Sequence, residues 1–156
     1  GYAYNRTQLL QNTGGGSSGE SGKTAACRAA NTRFERNLRG FTTEALNLQM
    51  QFAVNSDVLS SISRQDLGAV ALGLVDNNLL TPEVRIFIVG HTDTSGSYRY
   101  NFDLSERRAE SAASFLAGQG VPWRNMQVDG LGECNPINGL SGGNGQNRRV
   151  TFIIAR

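Results

Sequence analysis

The chain has 156 residues, 38% of them aliphatic or aromatic and 18% charged, which suits one core of ordinary size. It holds no apolar run near the roughly 20 residues that a membrane-crossing helix needs. The formal net charge is +2, and 14 of the 15 basic residues are Arg, with Lys23 the single Lys. Guanidinium groups suit planar contact with carboxylate or phosphate. They are scattered here without a basic run, and Tyr98 and Tyr100 alone make a thin aromatic platform, so nucleic acid is not an expected partner.

The opening GYAYNRTQLLQNT lacks the basic stretch and apolar run of a signal peptide, so the chain reads as a mature or trimmed fragment. Any membrane tether would lie in a segment outside it. Residues 1–24, with Gly14-Gly15-Gly16-Ser17-Ser18-Gly19, read as a flexible linker. Residues 25–44 read as a short helical arm: Ala25–Leu38 is Ala-rich, places Phe34 and Leu38 on one face, and stops at Gly40. The domain proper is expected over 45–156.

Leu46, Leu48, Met50, Phe52 and Val54 alternate with Asn47, Gln49, Gln51 and Ala53, a period of two that predicts a half-buried first strand. Ser61–Asn78 repeats apolar residues at helical spacing, including Leu67, Val70, Ala71 and Leu74. Val84–Val89 is β-branched and aromatic almost throughout and predicts a central strand ending at Gly90. A second long helix is expected to begin at Ser105 as its N-cap and to end at Gly118–Gly120 and Pro122. Met126–Val128 predicts a third strand, residues 132–146 a long turn-rich loop, and Val150–Ile154 the last strand. The order β-α-β-α-β-loop-β predicts an α/β (α+β sandwich) domain, with helices packed on a mixed sheet.

Asp93 lies just past the central strand, where open α/β sheets place their ligands. With Ser105 as N-cap, Arg107 and Arg108 would fall in the first helical turn, where cations oppose the helix dipole. That placement makes sense if one of them faces an anion; the bland alternative is pairing with Glu106 and Glu110 on the surface. Gly19-Glu20-Ser21-Gly22-Lys23-Thr24 looks like the end of a phosphate-binding loop, but Ser17 stands where the first glycine belongs and no apolar strand precedes it. Gly139-Leu140-Ser141-Gly142-Gly143 fits a nucleophile elbow, yet the one histidine, His91, lies upstream, in the wrong order for that hydrolase fold. His91 and Asp93 lack further ligands for a metal site, and no cofactor is implied. Thr24-Ala25-Ala26-Cys27 is faintly like a lipobox without its apolar run. Cys27 and Cys134 could be two thiols or one disulfide.

The spaced motifs Gly90-His91-Thr92-Asp93, then Tyr100-Asn101 with Leu104-Ser105 and Arg108-Ala109, then Asn147-Arg148-Arg149-Val150 resemble the OmpA-like domain over roughly Leu46 to Arg156, about 110 residues. The resemblance implies noncatalytic binding of peptidoglycan through meso-diaminopimelate, anchoring an envelope protein or a larger envelope complex to the cell wall. It implies a periplasmic, outer-membrane-associated setting in a Gram-negative bacterium. In the family, the residue matching Asp93 takes the ligand's ammonium and the residue matching Arg108 takes the carboxylate on the same carbon. Lesser contacts are implied for Asn55, Thr92, Asn101 and Arg148. The loop before Asn147 departs from the family pattern, so Arg148 is carried over less directly than Asp93 and Arg108. In a periplasmic chain, Cys27 and Cys134 would most simply pair. The rival function is a cell-wall peptide hydrolase or another periplasmic enzyme, which would need a nucleophile, base or metal near Asp93.

Overall fold

A computed structural model describes residues 22–46, 48 and 50–156. Among them lie helix α1 (Gly22–Leu38), strands β1 (Thr43–Ala45) and β2 (Met50–Gln51), helix α2 (Ser61–Asp76), strand β3 (Arg85–His91), helix α3 (Tyr98–Gly118), strand β4 (Met126–Gly130) and strand β5 (Arg149–Ala155). Short 3-10 turns occupy Trp123–Asn125 and Gly145–Asn147. The strands form one mixed sheet in the order β1-β5-β3-β4, with β2 also paired to β5. Strands β3 and β4 are parallel, and β5 runs antiparallel to β1, β2 and β3. This is the expected α/β architecture.

Alternation along the two central strands sends side chains to two separate cores. Ile86, Ile88, Val150, Phe152 and Ile154 pack with Leu67, Ala71 and Leu74 of α2 and with Ala109, Ala112, Ala113 and Leu116 of α3. Phe87, Val89, Ile153 and Ala155 face the other way and pack against Ala30, Phe34 and Leu38 of α1. Phe34 meets the edge of the Phe87 ring at 6.1 Å between centroids. Helix α1 is therefore no free-standing arm: it covers the second sheet face, and β1, within the same 25–44 stretch, pairs with β5. The expected linker of residues 1–24 also gives up Gly22–Thr24 to α1, while residues 1–21 lie outside the described residues.

Two sequence expectations shift. Of the predicted first strand at 46–54 only the short β2 forms, with β1 lying before it, because the pairing with β5 slips, as at a bulge, between Ala45 opposite Ile153 and Met50 opposite Val150. Leu46 still donates its backbone N–H to the Phe152 carbonyl across this bulge at 2.9 Å. Beyond it Met50 and Phe52 are buried, whereas Val54 is 56% exposed. The second long helix starts at Tyr98, with Ser97 as its N-cap accepting from the Tyr100 amide. Ser105 sits within that helix, its hydroxyl donating back to the Phe102 carbonyl and accepting from the Gly132 amide. A serine that serves a tertiary contact looks the same in sequence as one that caps a helix.

The close approach of α3 to the sheet depends on missing side chains. A Cβ on Gly90 would lie 1.7 Å from the Ser105 carbonyl oxygen, and one on Gly130 would lie 2.6 Å from the Ser105 hydroxyl. The adjacent parallel strands thus carry paired glycines where the helix crosses.

Candidate functional site

Strands β2, β3 and β4 end, and β5 begins, at the same end of the sheet. Their loops, at 52–56, 92–96, 131–135 and 141–148, therefore gather there with the first half of α3. A small, tight cleft lies among them, lined by Val54, Asn55, Thr92, Asp93, Ser95, Asn101, Leu104, Arg108 and Arg148. All six residues singled out from the sequence for ligand contact border this one space. A larger groove, between α2 and the chain that follows β1 alongside β5, is lined mainly by Leu46, Leu48, Val70, Leu74, Leu79 and Ile154, with Asp66 and Asn77 as its polar side chains.

Arg108 is 0% exposed. Its Nε donates to the Ser56 carbonyl at 2.8 Å, Nη1 to the His91 carbonyl at 3.0 Å and Nη2 to the Ala53 carbonyl at 3.1 Å, and the guanidinium lies 5.2 Å over the Phe52 ring. The turn at 53–56 that supplies two of these carbonyls is closed by the Ser56 amide on the Ala53 carbonyl and needs a left-handed Asn55, with φ of 57°. Burial pulls the Arg108 guanidinium down to about 10, against the opposing influence of Asp93, so it stays a cation at neutral pH. A guanidinium carries five N–H donors, and the three carbonyls leave others for an anion in the cleft. The helix-dipole argument does not apply, since Arg108 lies in the third turn of α3 rather than the first. Arg107 instead pairs with Asp103 and Asp57, each at 2.8 Å, and not with Glu106 or Glu110.

Asp93 follows the end of β3 and is buried. Its Oδ1 accepts from the Ser95 amide at 2.9 Å and from the Ser95 hydroxyl, and its Oδ2 pairs with Arg148 Nη1 at 3.0 Å. Burial alone would push this carboxyl up; the Ser95 hydroxyl, the Ser95 amide and Arg148 together outweigh it and hold the group below its ordinary value. Arg148, carried over less directly than Asp93 and Arg108, thus pairs with the Asp93 carboxylate. Its Nε also donates to the Phe52 carbonyl at 2.8 Å. A Cβ on Gly145 would lie 2.7 Å from the Arg148 guanidinium, so the Gly-rich loop that departs from the family pattern gives that guanidinium room.

Thr92 spends its hydroxyl on the Asp93 carbonyl at 2.8 Å. Asn101 donates from Nδ2 to that carbonyl at 3.3 Å and to Glu133 Oε1 at 3.2 Å. His91 turns to the α1 side of the sheet, with Nε2 3.2 Å from the Thr151 hydroxyl and its pKa lowered by burial and then by Arg149. Sequence reasoning missed Phe52 as the platform under Arg108 and Glu133 as the partner of Asn101. The strand alternation marked Phe52 only as core, and Glu133 stands in a loop with no period to mark it.

Cys27 of α1 and Cys134 of the loop after β4 form a disulfide, with Cα atoms 5.3 Å apart.

A family model described as the OmpA family matches residues 51–149. The chain belongs to the OmpA family. The matched stretch runs from the end of β2 to the start of β5 and so contains every residue of the cleft, while α1 lies outside it. Among OmpA-family relatives, the outer-membrane lipoprotein YfiB of Pseudomonas aeruginosa is 36% identical over 111 residues, which make up 70% of this chain and 64% of that protein. The chain thus spans less than two thirds of YfiB. The peptidoglycan-associated lipoprotein of Legionella pneumophila is 34% identical over 145 residues, 90% of this chain and 80% of the relative. Among solved structures, the peptidoglycan-associated lipoprotein from Burkholderia pseudomallei superposes with a TM-score of 0.60 at 28% identity, over 68% of this chain and 88% of that one.

Proposed function

We propose that this chain binds peptidoglycan without catalysing a reaction, gripping the zwitterionic end of meso-diaminopimelate in the cleft between Asp93 and Arg108. Through that grip it fastens an envelope protein or complex of a Gram-negative bacterium to the wall. The observation that carries the reading is one buried carboxylate and one fully buried guanidinium bordering the same small space. Relatives named peptidoglycan-associated lipoproteins support it.

The chemistry follows from the donors and acceptors. The ligand's ammonium meets Asp93, whose oxygens keep lone pairs beyond those taken by Ser95 and Arg148. The carboxylate on the same carbon takes N–H groups of Arg108 that the carbonyls leave over, with Arg148 as a second cation at the rim. Both contacts are charge-assisted and poorly hydrated, the condition in which they count most. Arg108 gains from burial because its position is set by the protein carbonyls before the ligand arrives. An L-lysine residue of a stem peptide, its α-groups tied up in peptide bonds, offers the side-chain ammonium with no carboxylate beside it, so it leaves Arg108 facing an empty space, and a site built for a charged hydrogen bond rejects such an analogue strongly.

Co-sedimentation with purified sacculi, competed by stem tripeptides that carry either meso-diaminopimelate or L-lysine, tests this. The meso-diaminopimelate peptide should displace the protein at least about tenfold more effectively than the L-lysine peptide, a difference of about 1.4 kcal/mol. Equal competition would remove the role given to Arg108, and failure of the parent protein to pellet would remove the function.

A further inference from the structure

We infer that helix α1 is part of the ligand site: Lys23, acting through Glu133, sets the orientation of the Asn101 side chain so that its oxygen faces the ligand's ammonium. The inference rests on the function proposed above and adds positioning residues that lie outside the cleft lining, one of them outside the stretch matched to the OmpA family.

The connection can be followed bond by bond. Lys23 Nζ stands 2.7 Å from Glu133 Oε2; the Lys23 side chain is 49% exposed, that of Glu133 only 4%. The other oxygen, Glu133 Oε1, accepts from Asn101 Nδ2 at 3.2 Å, and the same Nδ2 donates to the Asp93 carbonyl at 3.3 Å. A carboxylate paired with an ammonium is an acceptor at both oxygens, so it admits only the NH2 side of the Asn101 amide. The amide oxygen is thereby forced to the opposite side. There no hydrogen bond from the described residues reaches it, and the oxygen lies beside Gly96, which has no side chain to cover it: a Cβ there would touch it at 3.6 Å. Asn101 lines the cleft and is almost wholly buried. A buried acceptor oriented into a cleft beside an aspartate is suited to a cationic donor, the ammonium that Asp93 binds.

Two further features belong to the same device. The Cys27–Cys134 disulfide joins α1 to the residue next to Glu133, which keeps Lys23 and Glu133 at salt-bridge distance. Lys23 is the chain's one lysine and ends the run that imitates a phosphate-binding loop. Its ammonium is engaged with Glu133, which gives that run a structural use unrelated to phosphate.

The test is a double-mutant cycle read by calorimetric titration with meso-diaminopimelate, with thermal midpoints recorded alongside. In Glu133→Gln the side chain can present its own NH2 group to Asn101 and release the amide to flip. This variant should bind about five- to tenfold more weakly than the parent. Lys23→Met, at a half-exposed position, should lose affinity in the same direction while leaving the fold intact. In an Asn101→Ala background neither change should matter by more than about twofold, because the group they position is gone. Parent-like affinity of both variants would overturn the inference, as would an equal loss in the two backgrounds, which would mean a general loosening of the site. Should Glu133→Gln not fold, Lys23→Met in both backgrounds decides alone. Asp93→Asn serves as the separate control: if it binds like the parent, the function proposed for the cleft fails, whatever the cycle shows.

Discussion

At the scale of single residues, the two charges of the cleft are held by different means. Asp93 is kept ionised by Ser95 and Arg148, while Arg108 is kept in place by backbone carbonyls of Ala53, Ser56 and His91. Arg108→Ala would leave those carbonyls without their donor and reports stability as much as binding. Asp93→Asn is the cleaner probe and should weaken peptidoglycan binding by about 1.5 to 3 kcal/mol, roughly ten- to hundredfold. Because the folded-state pKa of Asp93 is depressed, its charge contributes stability above the ordinary value of 3.8 and loses it as pH falls through the folded value. Denaturant melts of parent and Asp93→Asn should therefore differ at pH 7, with the parent more stable, and converge well below pH 4. Asp129 on β4 has the opposite sign. Burial raises it to about 6, with Glu106 adding to the rise and Arg33 opposing it, and its Oδ2 has no hydrogen-bond partner. Its ionisation costs stability as pH rises from about 4 to 6. Asp129→Asn should thus stabilise the protein by about 1 kcal/mol at pH 7 and by nothing near pH 3. An unchanged difference across that range would show that the charge of Asp129 is not the cause.

At the scale of elements, the site depends on how closely α3 lies on the sheet. Asn101 and Arg108 are seven residues apart, two helical turns, and reach the cleft from one face of α3, with Ser105 between them against the glycines of β3 and β4. Gly90→Ala would place a methyl group 1.7 Å from the backbone oxygen of Ser105, where no side chain can yield. The expected outcome is a loss of about 3 kcal/mol or more and a displaced helix, visible as a lowered thermal midpoint together with weakened binding. A variant as stable as the parent would mean that α3 can shift freely. Only part of this was legible in the sequence. Helix periodicity located the apolar face of α3 from Ala109 to Leu116, but the first turns mix Tyr98, Phe102 and Leu104 with Ser97, Asn101 and Ser105, and Ser105 reads as a cap as well as Ser97 does. The helix start was therefore misplaced by eight residues, and Arg108 with it. The slip between Ala45 and Met50 was hidden for a related reason: the period-two pattern persists along the chain while the pairing with β5 shifts.

At the scale of the whole molecule, α1 closes the second sheet face and the Cys27–Cys134 bond ties its N-terminal half to the end that holds the cleft. The cysteines are 107 residues apart, so on the chain-entropy account the bond can add up to about 4 to 5 kcal/mol. Replacing both cysteines by serine should lower the denaturation midpoint by a large fraction of the total stability, measured without reductant, and adding reductant should affect only the parent. Equal stability of the two proteins would mean that packing of Phe34 and Leu38 holds α1 unaided.

The sequence by itself determined the family, the alternation of strands and helices, and the position of Asp93 just beyond a central strand, because these are carried by periods of two and 3.6 and by motifs short enough to read along the chain. Tertiary structure alone decided that Arg148 meets Asp93 across 55 residues, that Arg108 rests on the Ser56 carbonyl across 52, and that α1 lies over the sheet with Lys23 on Glu133. Each of these joins residues with no periodic relation, and their separation in space is set by the bulge in one strand, the missing side chains under α3 and the covering helix. Local pattern records which face a residue presents; only the packed layers fix what that face meets.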